Sequence, residues 1–145
     1  MDLETKKAKY IERYGPKGVE TIYRLQPDNF DGLLSEFDDL DPAFCETWLN
    51  HIYGNMYNRG IIPDKWRVMI VIGECVVAGE DVQIQTHIRT AIRLGATPEE
   101  VLEVILQAHV YAGMPKMINA MRIYRRIMSE LGLLKHKGIA AGSEG

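Results

Sequence analysis

Apolar positions recur along this chain at a helical period, broken at regular intervals by turn signals. Residues 4–14 and 16–25 predict two short helices, the first largely solvated, on either side of Gly15-Pro16. Beyond the turn signal Pro27-Asp28, the apolar positions Phe30, Leu33, Leu34 and Phe37 predict a helix over residues 30–40. Asp41-Pro42 then reads as a strong helix start, with the carboxylate as cap and the proline in the first turn. That helix carries Phe44, Trp48, Ile52 and Tyr53 on one side and is expected to run to about Tyr57, ahead of a turn at Asn58-Arg59-Gly60.

Pro63 or Asp64 opens the next helix, which runs to Ala78 and ends at Gly79. Met69, Ile70, Val71, Ile72, Val76 and Val77 make it apolar nearly all round, so it is expected in the middle of a bundle. Its length and end signals favour helix over strand despite the β-branched content. Residues 80–94 form an amphipathic helix with Ile84, Ile88, Ala91 and Ile92 inward. Thr97 with Glu100 makes a capping box and Pro98 fits the first helical position. This helix ends at Tyr111-Ala112-Gly113, and the last one spans about Pro115 to Leu131. The tail after His136 is expected to fray. No alternating strand pattern remains, and the fold class is all-α.

Composition narrows the function. A chain of 145 residues, 46% of them hydrophobic, can bury one domain core. The net charge of -3 comes with no basic aromatic stripe, which argues against nucleic acid as a partner. The longest apolar run, residues 68–78, is interrupted by Glu74 and too short to span a bilayer. The polar N-terminus is no signal peptide, and a cytoplasmic location is expected. Cys45 and Cys75 stand far apart, and the four histidines show no ligand spacing with cysteines or carboxylates, so no metal site is expected.

Two imidazoles stand out as groups able to carry protons near neutral pH. His87 lies on the largely apolar face of the helix over residues 80–94, and His109 shares a face with Leu102, Ile105 and Leu106 on the next. Gln83 is one turn from His87 and could orient its ring, whereas Glu80 is two turns away, about 10 Å along the axis. The same spacing also suits a core histidine satisfied by a backbone carbonyl. Glu74 sits on the most apolar helix; a buried carboxylic acid has a raised pKa and suits acid–base work, but an ion pair with Arg67 or an outward-leaning side chain fits the position better. Arg59, in a turn, is the best placed cation for a substrate carboxylate, while Arg89 and Arg93 read as a solvated helix surface. Cys75 reads as an inert thiol. Met114, Met117, Met121 and Met128 with Tyr124 form a soft stripe suited to a core or a subunit interface.

In combination, several segments resemble the carboxymuconolactone decarboxylase family, which includes the alkylhydroperoxidase D-like proteins. They are Leu40-Asp41-Pro42, the segment from Gly54 to Arg59, His87-Ile88-Arg89-Thr90-Ala91 followed by Leu94 to Glu100, and Gln107 through Tyr111-Ala112-Gly113-Met114-Pro115. The resemblance covers about residues 40–127. It implies a compact, oligomeric helical bundle of the alkylhydroperoxidase D-like type, commonly a trimer or hexamer, with residues 1–39 as an N-terminal helical extension, 40–132 as the family domain and 133–145 as a flexible tail. In the peroxidase-like branch a Cys-x-x-Cys pair precedes the histidine; Glu80 and Gln83 occupy those positions here, so a dithiol relay is absent. The resemblance to the cofactor-free decarboxylase branch is the better one. Departures occur at Val68, where that branch has a glutamate, at Asn55, and at Gln107, where it has a histidine that here appears at His109.

The resemblance implies decarboxylation of a small carboxylated lactone of aromatic-compound catabolism, with no cofactor. His87 is then the proton-transfer group, Glu74 and His109 tune or share the proton, and Arg59, Gln83, Tyr111 and Glu80 bind substrate. Isomerisation, hydration or lactone hydrolysis of a related acid, or a non-catalytic ligand-binding or assembly role, are the alternatives. All of them require the His87 ring to face an enclosed, partly polar hollow.

Overall fold

Start and stop signals in the sequence reappear as hydrogen-bonded ends in the computed structural model, which describes residues 1–26 and 30–139. The turn signal Pro27-Asp28, the side chain of Phe30 and the tail from residue 140 lie outside the described residues. Eight α-helices and no strand occur among those residues: α1 Leu3–Tyr14, α2 Pro16–Leu25, α3 Phe30–Leu40, α4 Pro42–Leu49, α5 Asp64–Ala78, α6 Asp81–Arg93, α7 Pro98–Ala112 and α8 Met114–Glu130. The all-α class follows directly. No helix among the described residues is long and apolar enough to cross a membrane. The chain divides into two compact units, Met1–Arg67 and Val68–Gly145.

In the first unit, α1 buries only Tyr14, as its polar pattern predicts, whereas α2 buries Val19, Ile22, Tyr23 and Leu25. Asp41 caps α4 by accepting from the Phe44 amide at 3.0 Å. The expected run of that helix to Tyr57 is not met. After Leu49 the chain widens into a π-helical stretch, Asn50–Asn55, then tightens into a 3-10 turn, Met56–Asn58. A close contact distant in sequence accompanies the widening. A side chain on Gly18 would come within 2.9 Å of Leu49 Cγ and 3.0 Å of the Leu49 carbonyl oxygen, so α2 packs here almost backbone to backbone. Asn58 Nδ2 closes the widened stretch by donating to Thr21 Oγ1 at 2.6 Å and to the Tyr53 carbonyl at 3.1 Å.

In the second unit, α8 packs against both α6 and α7. Ile84, Ile88 and Ala91 of α6, Val101 and Ile105 of α7, and Ala120, Ile123, Ile127 and Met128 of α8 are buried. Each large aliphatic side chain among them contributes about 1.5–3 kcal/mol by leaving water. Gly95 (φ 92) ends α6: its amide donates to the Ile92 carbonyl at 3.1 Å and the Ala96 amide to the Ala91 carbonyl at 2.9 Å. This closure needs a left-handed residue, which glycine adopts without strain. The capping box at the start of α7 is formed in both directions, Glu100 N–H to Thr97 Oγ1 at 3.0 Å and Thr97 N–H to Glu100 Oε2 at 2.9 Å. Tyr124 O–H donates to the Pro98 carbonyl at 2.9 Å and pins the same end of α7 to α8.

The helix over 64–78 is not enclosed on all sides. Val68, Met69, Ile72 and Val76 are buried, while Trp66, Ile70, Glu74 and Val77 form an exposed line at i, i+4, i+8 and i+11. Apolar composition all round fixes no inward face, and only one side of α5 meets the core. The methionine stripe of α8 divides in the same way: Met117 and Met128 are buried, Met114 and Met121 exposed.

Candidate functional site

His87 is placed by the inward stripe of α6. Ile84 lies one turn before it and Ala91 one turn after it, and both are fully desolvated or nearly so. The register that buries these aliphatic groups carries the imidazole in with them, leaving it 6% exposed. Burial without a facing carboxylate disfavours the charged ring and lowers its pKa to about 4. At neutral pH the ring is an uncharged imidazole. Its Nδ1 is buried and has no hydrogen-bond partner. That atom is therefore an unused donor or acceptor, depending on the tautomer, inside the fold.

The remaining candidates in this unit lie differently. Glu74 is exposed, so of its alternatives the outward-leaning side chain is the one observed and the buried carboxylic acid is not: it falls on the outward line of α5 with Ile70 and Val77. No ion pair joins it to Arg67. His109 is also exposed, contrary to its apolar-face pattern. The buried side of α7 is formed by Val101 and Ile105, and one further turn carries His109 beyond the core. Its Nδ1 lies 2.6 Å from the Leu106 carbonyl; as the donor there it leaves Nε2 as an acceptor toward solvent. Gln83 is exposed and does not hold the His87 Nδ1. Glu80 occupies the cap position of α6 without a capping hydrogen bond from its side chain. Tyr111, at the last turn of α7, is 92% exposed. Arg89, expected to be solvated, is paired with Glu130.

Arg59 belongs to the first unit, where it follows the 3-10 turn and is exposed. Arg67 ends that unit and was read from the sequence only as a companion of Glu74. It is 8% exposed, and its Nε is buried without a partner. One turn earlier on α5, Asp64 is the nearby carboxylate at i−3, but its Oδ2 accepts from Arg24 Nε at 2.9 Å. A signal was present in the sequence: a guanidinium at the head of an apolar run whose next turn, Ile70 and Val71, offers no acceptor.

Both thiols are held in the protonated form by burial, which raises the pKa of Cys45 and of Cys75 and removes the basis for a reactive thiolate. Two surface cavities, of about 590 and 510 Å³, are lined respectively by α1 and α3 residues such as Lys6, Tyr10 and Asp38, and by α8 residues such as Arg122, Arg125 and Ser129. Neither includes His87, so the hollow expected beside its ring is not one of these two. Among the described residues no group of three or more His, Cys, Asp or Glu could hold a metal ion.

Residues 42–126 match the model of the Carboxymuconolactone decarboxylase family. A 4-carboxymuconolactone decarboxylase of Acinetobacter baylyi is 25% identical over 104 residues, covering 72% of this chain and 78% of its own length. An uncharacterized 15.0 kDa protein of the nqo9-nqo10 intergenic region of Paracoccus denitrificans is 30% identical over 126 residues, covering 84% of this chain and 92% of its own. A nitrosuccinic acid decarboxylase of Metarhizium robertsii is 28% identical over 79 residues, which is 54% of this chain and 55% of that protein.

Proposed function

This chain belongs to the carboxymuconolactone decarboxylase family, and we propose that it is a carboxy-lyase that removes CO2 from a small organic acid, with His87 carrying the proton and no cofactor taking part. The observation behind this reading is the buried, uncharged imidazole with an unoccupied Nδ1. Two relatives bear decarboxylase names, and the compounds in those names, 4-carboxymuconolactone and nitrosuccinic acid, are both carboxylic acids with a second electron-withdrawing group.

The chemistry follows from charge. An anionic substrate beside a desolvated imidazole favours the imidazolium, so binding draws one proton from solvent onto His87. The C–C bond to the carboxylate breaks, CO2 leaves, and the electron pair passes into the adjacent carbonyl or nitro group. The carbon left behind takes the proton from the imidazolium, and His87 returns to its neutral state. The resemblance makes Arg59 a candidate for holding the substrate carboxylate, and Gln83, Glu80 and Tyr111 candidates for supporting contacts. Glu74 and His109 reach the reaction only if assembly desolvates them.

Assembly into a homo-oligomer, a trimer or hexamer, is part of this reading. Ile70 and Val77 of α5, Val82 of α6 and Val110 and Tyr111 of α7 are exposed apolar groups that a second copy would cover. Sedimentation of the purified chain as a monomer would remove that part.

The direct test is CO2 release from 4-carboxymuconolactone and nitrosuccinic acid, with substrate consumption followed in parallel. Release matched one for one to consumption is expected from the wild type, and about a hundredfold or greater loss from His87→Gln. Consumption without CO2 would instead point to isomerisation, hydration or lactone hydrolysis. Undiminished turnover in folded His87→Gln would take the proton role away from this residue.

A further inference from the structure

We propose that Arg67 is an anion-binding residue that takes a carboxylate of the ligand through its Nε edge. The structure supplies the reasons one at a time. Arg67 carries a planar cationic fork of N–H donors with no acceptor of its own. It is nevertheless 8% exposed, with Nε buried and unpartnered. A buried donor on a cationic group with no acceptor is unfavourable for a fold, and it persists where something outside the polypeptide completes it. Within the first unit the carboxylate one turn away, Asp64, is bonded to Arg24 at 2.9 Å and makes no bond to Arg67. On the C-terminal side the same helix presents Ile70 and Val71, which accept nothing.

The geometry of the group selects the ligand class. Nε and one terminal nitrogen form a planar fork that matches the two oxygens of a carboxylate. The inference deepens the decarboxylase reading in that it assumes a carboxylic acid as ligand, and it assigns the anchoring role to Arg67, beside or in place of the exposed Arg59. Arg67 is offered as a binding residue, with no part in proton transfer.

The consequence is an inversion of the usual effect of mutation. If Arg67 awaits a ligand, the free protein is better off without the charge, so Arg67→Met melts at or above the wild-type temperature while losing the anion. If Arg67 supports the fold, Arg67→Met melts lower. The full chain is melted in rising succinate, with succinamide as the uncharged isostere at matched ionic strength. Succinate is expected to raise the Tm saturably and succinamide to leave it unchanged. Arg67→Met should bind succinate at least about tenfold more weakly. Arg67→Lys should keep a weaker response, since it retains the charge without the fork. A wild type with no saturable response to succinate, or Arg67→Met responding like the wild type, overturns the proposal. So does a fall in Tm in Arg67→Met with or without dissociation of an oligomer, which would assign the guanidinium to a contact within the protein or with a second copy. The two readings separate cleanly. Succinate binding that depends on Arg67 in a protein releasing no CO2 would sink the decarboxylase and leave the anchor. CO2 release undiminished in Arg67→Met would do the reverse.

Discussion

His87 and His109 occupy equivalent positions in their helices as far as pattern goes, yet one is 6% exposed and the other faces solvent. Each follows an inward aliphatic residue, Ile84 by three positions and Ile105 by four. The difference lies in where along the helix each falls. His87 sits in the middle of α6, with buried side chains both before and after it, Ile84 and Ala91. His109 sits in the last turn of α7, past the final buried residue of that helix. Angular position decides which way a side chain points, and only the extent of the neighbouring elements decides whether anything is there to cover it.

Activity should separate the two most widely. His87→Gln is expected to lose turnover by about two to four orders of magnitude, as removal of a proton-transfer group does. His109→Gln should stay within about threefold of the wild type as long as its ring remains in water, since a solvated group has no low-dielectric advantage to lose. Equal, large losses in both variants would mean that assembly buries His109 into the same chemistry, and would revive its expected role.

The ring environments also predict different responses to acid. Burial holds the folded His87 pKa near 4, below the 6.5 of an unperturbed imidazole. Between those values the unfolded chain binds a proton that the folded chain refuses. The contribution is therefore complete above about pH 6.5 and is lost as the pH falls toward 4, a change of roughly 3 kcal/mol at most. Urea unfolding from pH 7 to 4.5 measures it. His87→Leu should flatten the wild-type slope in this window, and His109→Gln should leave it in place. A slope unchanged in His87→Leu would mean that carboxylates alone govern the acid limb.

Helix ends were legible because their chemistry is local. Asp41 and Thr97 find their partners three residues away, and Gly95 closes α6 within its own last turn. What could not be read depends on residues far apart in the chain. The π-helical stretch after Leu49 begins where Gly18, some thirty positions earlier, comes close to the Leu49 backbone. The buried Arg67 Nε goes without a partner while Asp64, one turn away, accepts from Arg24, which lies far earlier in the chain. Glu74 and Ile70 stand outward because α5 meets core on one side, a fact absent from a segment apolar nearly all round. Of the buried polar groups, the pattern found the imidazole of His87, whereas it offered Arg67 only as a companion of Glu74 and gave no sign of its burial.

The smallest expected effect tests the gradient along α7 itself. Its first turn is held by the reciprocal Thr97–Glu100 bonds and by Tyr124 O–H on the Pro98 carbonyl. Its last turn ends in His109, Val110 and Tyr111, all exposed. Thr97→Ala removes the side-chain acceptor for the Glu100 amide and should cost about 1 kcal/mol in urea unfolding. His109→Gln, at the uncovered end, should cost under about 0.5 kcal/mol, as surface changes do. Amide exchange sharpens the contrast: protection should be greatest beside Ile105 and fall from there toward Ala112. Uniform protection along α7, or a His109→Gln penalty equal to that of Thr97→Ala, would show that the far end is covered in solution. The two histidines would then differ only in the isolated chain.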